Sequence, residues 1–137
     1  MAGTPNSLIT PQQVKSAYVV CSNPKTNLAD TSQAQQLISS SEVPNGALVK
    51  KIWAISRSTS SLDNHCQLYR SKNSGTSITY TDAVILPAGS VGTSAAPVKA
   101  LFDYTADEPL RLAANEELWV AIGVAGNVIF VAEYEAF

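Results

Sequence analysis

Charge is scarce in this chain. Lys, Arg, Asp and Glu make up 15% of its 137 residues, against about 25% in an ordinary soluble domain. Nine basic and eleven acidic residues are mixed along the sequence. No basic face forms, and nucleic acid is excluded as an expected partner. Histidine occurs once, as His65. A zinc site usually takes three or four ligands from two short clusters, and here Asp63-Asn64-His65-Cys66 has no second cluster to join. A Ser-His-Asp triad would have to be built on that same histidine, yet no Gly-x-Ser-x-Gly elbow exists. Cys66 cannot readily use His65 as its base, because adjacent strand residues point to opposite faces. Long apolar runs are missing too. The longest uncharged one, Leu118 to Ala132, is too short to span a bilayer and is broken at Gly126-Asn127. Met1-Ala-Gly-Thr-Pro-Asn-Ser lacks the basic and apolar segments of a secretory signal, so synthesis in a cytoplasm is expected, with no membrane partner.

Ser, Thr, Asn, Gln and Ala take the place of charge, and 45% of the chain is hydrophobic. That is unlike a disordered sequence. It suits one domain that buries a core and holds part of its surface against neighbours. Cys21 and Cys66 each sit inside an apolar run and are expected as buried free thiols.

Residues 1–14 read as an extended arm, because Pro5 and Pro11 oppose helix. Residues 15–137 read as a single β-sandwich domain. Strands are expected at Lys15–Ser22, Ala34–Ser39, Ala47–Thr59, His65–Ser71, Thr76–Leu86, Val98–Tyr104 and Leu110–Leu112. Two more, Leu118–Val124 and Val128–Phe137, flank Gly126-Asn127 and read as a terminal hairpin. Asn23-Pro24, Pro44-Asn45-Gly46, Lys72-Asn73-Ser74-Gly75 and Pro87-Ala88-Gly89 punctuate the series. Eight or nine short strands with this spacing predict an all-β fold, an antiparallel β-sandwich of jelly-roll type. Its expected core includes Val19, Cys21, Ile52, Leu68, Val84, Phe102, Leu118, Val120, Ile122 and Phe130.

The alternation is imperfect. Leu118, Val120 and Ile122 share one face, but Trp119 and Ala121 leave the other apolar. In the last strand Ile129 and Val131 precede Glu133 and Glu135 on one face, and the strand around Trp53 is also two-sided. Either loops cover these outer faces or another subunit does, and the low charge favours a subunit. Trp119, Ile129 and Val131 are therefore the expected oligomer contacts, with Leu8, Ile9 and Val14 of the arm as partner contacts.

The remaining candidates for chemistry are thin. Glu133 and Glu135 share a strand face, but a glycosidase needs two carboxyls on a sugar-sized cleft. Asp103, Asp107 and Glu108 offer oxygens to calcium without the EF-hand spacing. Gly89-Ser-Val-Gly92 lacks the lysine and helix of a phosphate loop. Trp53, Trp119, Tyr18, Tyr69, Tyr80, Tyr104 and Tyr134 suit packing better than a sugar platform. No catalytic residue, no metal and no cofactor is expected.

Leu68-Tyr69-Arg70, the Pro87-Ala88-Gly89 loop, and Leu110-Arg-Leu112-Ala-Ala-Asn115-Glu-Glu-Leu118-Trp-Val120 together resemble a known group. They are similar to the small β-sandwich or jelly-roll structural proteins encoded beside the major capsid protein of tailed bacteriophages. Asn115 stands where glycine is frequent in that corner, and Asn tolerates the left-handed conformation. The resemblance covers roughly residues 47–137. It implies a virion component made in the host cytoplasm: a capsid cement or decoration protein, homotrimeric, whose partner is the major capsid protein. A receptor- or glycan-binding head of a tail or head fibre is the alternative, and would place Trp and Tyr on exposed loops.

Overall fold

The computed structural model describes residues 13–72, 78–96 and 98–137. These form nine strands: β1 (Gln13–Cys21), β2 (Gln35–Ile38), β3 (Ala47–Ser56), β4 (Asn64–Ser71), β5 (Ile78–Leu86), β6 (Lys99–Leu101), β7 (Leu110–Leu112), β8 (Glu117–Ile122) and β9 (Val128–Ala136). One 3-10 turn, Ser40–Glu42, follows β2. The first sheet has the order β1-β9-β3-β6, with β7 also on β3, and the second has the order β2-β8-β4-β5. The strand ladders are antiparallel. The chain changes sheet at every connection except β4–β5 and β6–β7, which is jelly-roll topology. The expected all-β sandwich is the observed one.

Two expectations need correction. The first strand begins at Gln13, so Gln13 and Val14 belong to the sheet and not to the arm. Leu8 and Ile9, with the rest of the arm, lie outside the described residues, as does most of the Lys72–Gly75 turn. The terminal hairpin is also not one. β8 pairs with β2 and β4, whereas β9 pairs with β1 and β3. A two-residue turn would have kept both runs in one sheet. Here residues 123–127 carry the chain across the sandwich, so that the two apolar faces meet through the core.

Asn64 holds that crossing. Its side chain is buried. Its Oδ1 accepts from the N–H groups of Gly123 and Val124, both at 3.1 Å, and its Nδ2 donates to the Val124 carbonyl at 2.9 Å. Gly126 N–H donates to Ser22 O and Arg57 N–H to Asn127 O.

The core joins both inner faces. Cys21, Ile52, Leu68, Phe102, Leu118, Val120, Ile122 and Phe130 are buried in it, and Val19 and Val84 pack against its margin. Cys21 and Cys66 are free and buried, and burial pushes both thiols up to about 12. The two-sidedness around Trp53 has a local cause. β3 pairs Val49 with Tyr134 and Lys51 with Glu133, leaving Lys50 as a bulge. Ala47 and Val49 face inward before it, Ile52 and Ala54 after it. One extra residue reverses the phase of a strand. At the corner before β8, Asn115 has φ 61° and its N–H donates to Val43 O at 2.8 Å. Gly46 has φ +90°, and a Cβ there would meet Leu112 O at 2.6 Å.

Asn64→Ala removes three hydrogen bonds at a buried crossing. It should lower stability by about 1–3 kcal/mol. The expected readout is a lower urea midpoint at unchanged slope.

Candidate interaction faces

A sandwich has two outer faces, and this chain treats them differently. The second sheet is roofed. On its outer side Tyr69 is fully buried, packed with Ala34 and Ala121 and flanked by Ile78 and Trp119. The segment between β1 and β2 supplies the roof. Lys25 is anchored by its N–H on Ile122 O at 2.7 Å. Its side chain is buried, with Nζ 5.5 Å above the Tyr69 ring. Nζ donates to Asp30 Oδ1 and to Ser32 O, each at 2.9 Å. Asp30 also accepts from Asn27 Nδ2 and from the N–H and hydroxyl of Ser32. The Lys25 ammonium, then the Ser32 donors, hold the Asp30 carboxyl at about 2. Beneath the roof Tyr69 donates to Gln67 Oε1, and His65 lies between Gln67 and Tyr80 at 3.2 and 3.0 Å.

The first sheet is left open by the described residues. Its strand register lines up cross-strand rows of outward side chains. One row runs Tyr18, Val131, Trp53, Leu101, and the next Val20, Ile129, Ile55, Lys99. Seven of these eight are apolar. Tyr18 is 78% exposed and Leu101 51%. Lys51 and Lys99 place their ammonium groups 5.1 and 5.7 Å from the Trp53 ring, a cation–π geometry. Beyond the apolar rows come Ser16, Glu133 and Lys51, then Val14, Glu135, Leu48 and Arg111. Lys50 is ion-paired with Glu135. The arrangement is an apolar band with a charged margin, the anatomy of a protein-binding patch.

Among the residues expected at contacts, Ile129 and Val131 stand side by side in this band. Val14 is on the same face, 85% exposed, at its charged margin. Trp119 is elsewhere. It lies on the outer side of the second sheet, half-buried beside the roof, with Nε1 donating to Glu117 Oε1 at 3.1 Å. It lies on a different outer face from Ile129 and Val131. Tyr18, Trp53, Ile55 and Leu101 were not singled out as contacts. Their signal was parity, since each neighbours a core residue in its strand.

The candidates for chemistry do not converge. Among the described residues no group of three His, Cys, Asp or Glu could hold a metal ion. The Asp103–Glu108 segment is a turn in which Glu108 N–H donates to Thr105 Oγ1 and Thr105 N–H to Glu108 O. Asp63 is spent on Ala88 N–H at 2.8 Å. The Gly89 loop pairs back onto Ser60.

No family model and no curated protein matches the chain. Among solved structures it is similar to a chain described as the cyanophage Pam1 capsid asymmetric unit, with 15% identity, 100% of both chains covered and a TM-score of 0.42. Likeness at this level identifies neither family nor role.

The roof should respond to acid. The Asp30 carboxyl is lowered from 3.8 to about 2 on folding. Its contribution is complete above the unfolded value and is lost as pH falls through the folded one. Thermal unfolding of the full chain should therefore lose stability between roughly pH 4 and pH 2, and Asp30→Asn should flatten that limb. An acid limb identical in the two proteins would contradict this account of the roof.

Proposed function

We propose that this chain is a phage virion structural protein of the capsid cement or decoration type. It binds the outer surface of the major capsid protein shell and stabilises it by non-covalent contact, as a homotrimer, without catalysis and without a cofactor. The observation that supports this most is the open apolar band of the first sheet, centred on Trp53 and Val131. A low-charge protein that roofs one outer face with a polar loop and, among the described residues, puts no loop over the other has a surface fitted to a protein partner. The assignment of that partner to a phage shell rests on the resemblance at residues 47–137, to which the jelly-roll topology adds support. The arm before Gln13 carries Leu8 and Ile9 and makes part of the shell contact. Several such arms on one oligomer gain through effective concentration what one lacks.

The fibre-head alternative is less well supported. Sugar platforms use aromatic side chains on exposed loops. Here Trp53, Trp119, Tyr18, Tyr69, Tyr80 and Tyr134 all lie in strands, and of the Trp and Tyr residues only Tyr104 is in a loop.

The experiment uses shells of the encoding phage that lack this protein. Full chain should bind them and raise their heat resistance. Val131→Lys puts a charge in the middle of the band and should weaken binding by about tenfold or more, the scale of a hot-spot loss. A truncation lacking residues 2–12 should bind more weakly than the full chain. If the full chain leaves the shells untouched, the cement reading is wrong.

A further inference from the structure

The four sheet edges are unequal. β2 is four residues long, with a bulge at Leu37. β6 and β7 have three residues each. β5 has nine, but Thr81 is a bulge and Asp82 sits opposite the core residue Leu68. Shortness, bulges and inward charges are the devices by which natural sheets block edge-to-edge pairing. β1 is neither short nor bulged, and its one inward charge, Lys15 opposite the core residue Tyr134, is already ion-paired within the chain. Its nine residues pair with β9 without a register break and contain no Pro or Gly. Its outward side chains, Val14, Ser16, Tyr18 and Val20, are uncharged. Its one charge, Lys15, is turned to Glu42 at 2.8 Å. Val14 and Tyr18 are also the two most exposed large hydrophobic side chains among the described residues.

We propose that β1 pairs antiparallel with β1 of a second copy, about a two-fold axis at Ser16, so that the two first sheets become one continuous sheet. The occupant is argued from self-complementarity. In this register Val14 faces Tyr18 of the partner subunit, and by symmetry Tyr18 faces Val14 of the partner subunit. The two most exposed apolar side chains thus cover each other twice. Lys15 faces Ala17 of the partner subunit, so no like charges meet. A two-fold axis normal to the sheet keeps both outer faces on the same side. The row Leu101-Trp53-Val131-Tyr18 of one copy is then extended by Val14 of the partner subunit, beyond which that copy's charged margin begins. The free edge of β1 gains main-chain hydrogen bonds where residues 13–19 of the two copies overlap, as in strand addition generally. This contact lies in the plane of the sheet and leaves the outer face free for the shell or trimer contact. It does not rest on the cement reading.

The test is disulfide trapping of the full chain. Ser16→Cys would bring two thiols opposite each other with Cα atoms about 4.5–5.5 Å apart, inside the range that a disulfide spans. Cys21 and Cys66 do not compete, being buried with thiols pushed up to about 12. Under mild oxidation at micromolar concentration Ser16→Cys should form a covalent dimer on the order of tenfold or more faster than Ser58→Cys, because pairing raises the local thiol concentration. Ser58 is exposed in the segment after β3. Adding Val14→Lys should return the rate to that of the control. Val14 is itself exposed and paired with Glu135 in the sheet, so a lysine there leaves the fold intact. If Ser16→Cys dimerises no faster than Ser58→Cys, or if Val14→Lys does not slow it, the proposal is overturned. No shells enter this assay, so its outcome is separate from that of the cement experiment.

Discussion

Two apolar faces must meet, and every strand has to keep the same phase for them to do so. Ile52, Phe130 and Ala132 on one sheet, and Leu68, Leu118 and Val120 on the other, form one buried cluster. A slip of one residue in any of these strands would turn its apolar set outward. The chain crosses between the sheets at most of its connections, so that phase must be restored again and again. It is restored by bulges at Leu37, Lys50 and Thr81, and by Asn64, which fixes how β8 gives way to β9. Asn115 and Gly46 do the same for the corner below, with left-handed backbone that few residues tolerate.

Closing the core this way leaves two outer faces, and they pose the same problem. Each is too apolar to stand in water without cost. The second sheet solves it within the chain. Lys25 brings its ammonium over the Tyr69 ring and onto Asp30, and the Asn27, Ser32 and Ala29 backbone and side-chain bonds fix the loop over both. A buried ammonium is tolerable only because a carboxylate and a carbonyl meet it. The first sheet has no such loop among the described residues. The segment that could have served, residues 22–34, is already committed to the other side.

Strand positions were legible because the punctuation is sharp. Pro44-Asn45-Gly46 does precede β3, and the strand expected at Ala34–Ser39 is β2, Gln35–Ile38. Partner choice was not legible. Gly126-Asn127 marks a turn whether the chain then stays in one sheet or leaves it, and only the five-residue gap hinted at the crossing. Bulges are silent as well. Lys50 looks like any polar strand residue, yet it makes Trp53 outward and Ile52 inward. The roof had a faint trace in the Asn, Asp and Ser content of residues 23–33, but nothing in that composition says that Lys25 is buried. For the same reason Trp119 could not be separated from Ile129 and Val131. All three are outward apolar residues, and sequence does not record which sheet a loop will cover.

The open face has one further property that bears on assembly. Its largest side chain, Trp53, is bracketed by Lys51 and Lys99, whose ammonium groups approach the ring from its own strand and from the neighbouring β6. Lysine stems can lie along apolar surface while their charged ends remain in water. They cover the indole loosely, because each stem keeps several rotatable bonds. The free chain therefore presents a partly masked band with positive charge at its middle and Glu133 and Glu135 at one end. A partner that displaces the lysines gains the area of Trp53, Val131 and Leu101, and a carboxylate placed near them would recover their charge. The bare sheet is thus kept tolerable in solution by the same two side chains that a partner must move. That is an arrangement suited to a contact between folded surfaces, rather than to a core that closes during folding.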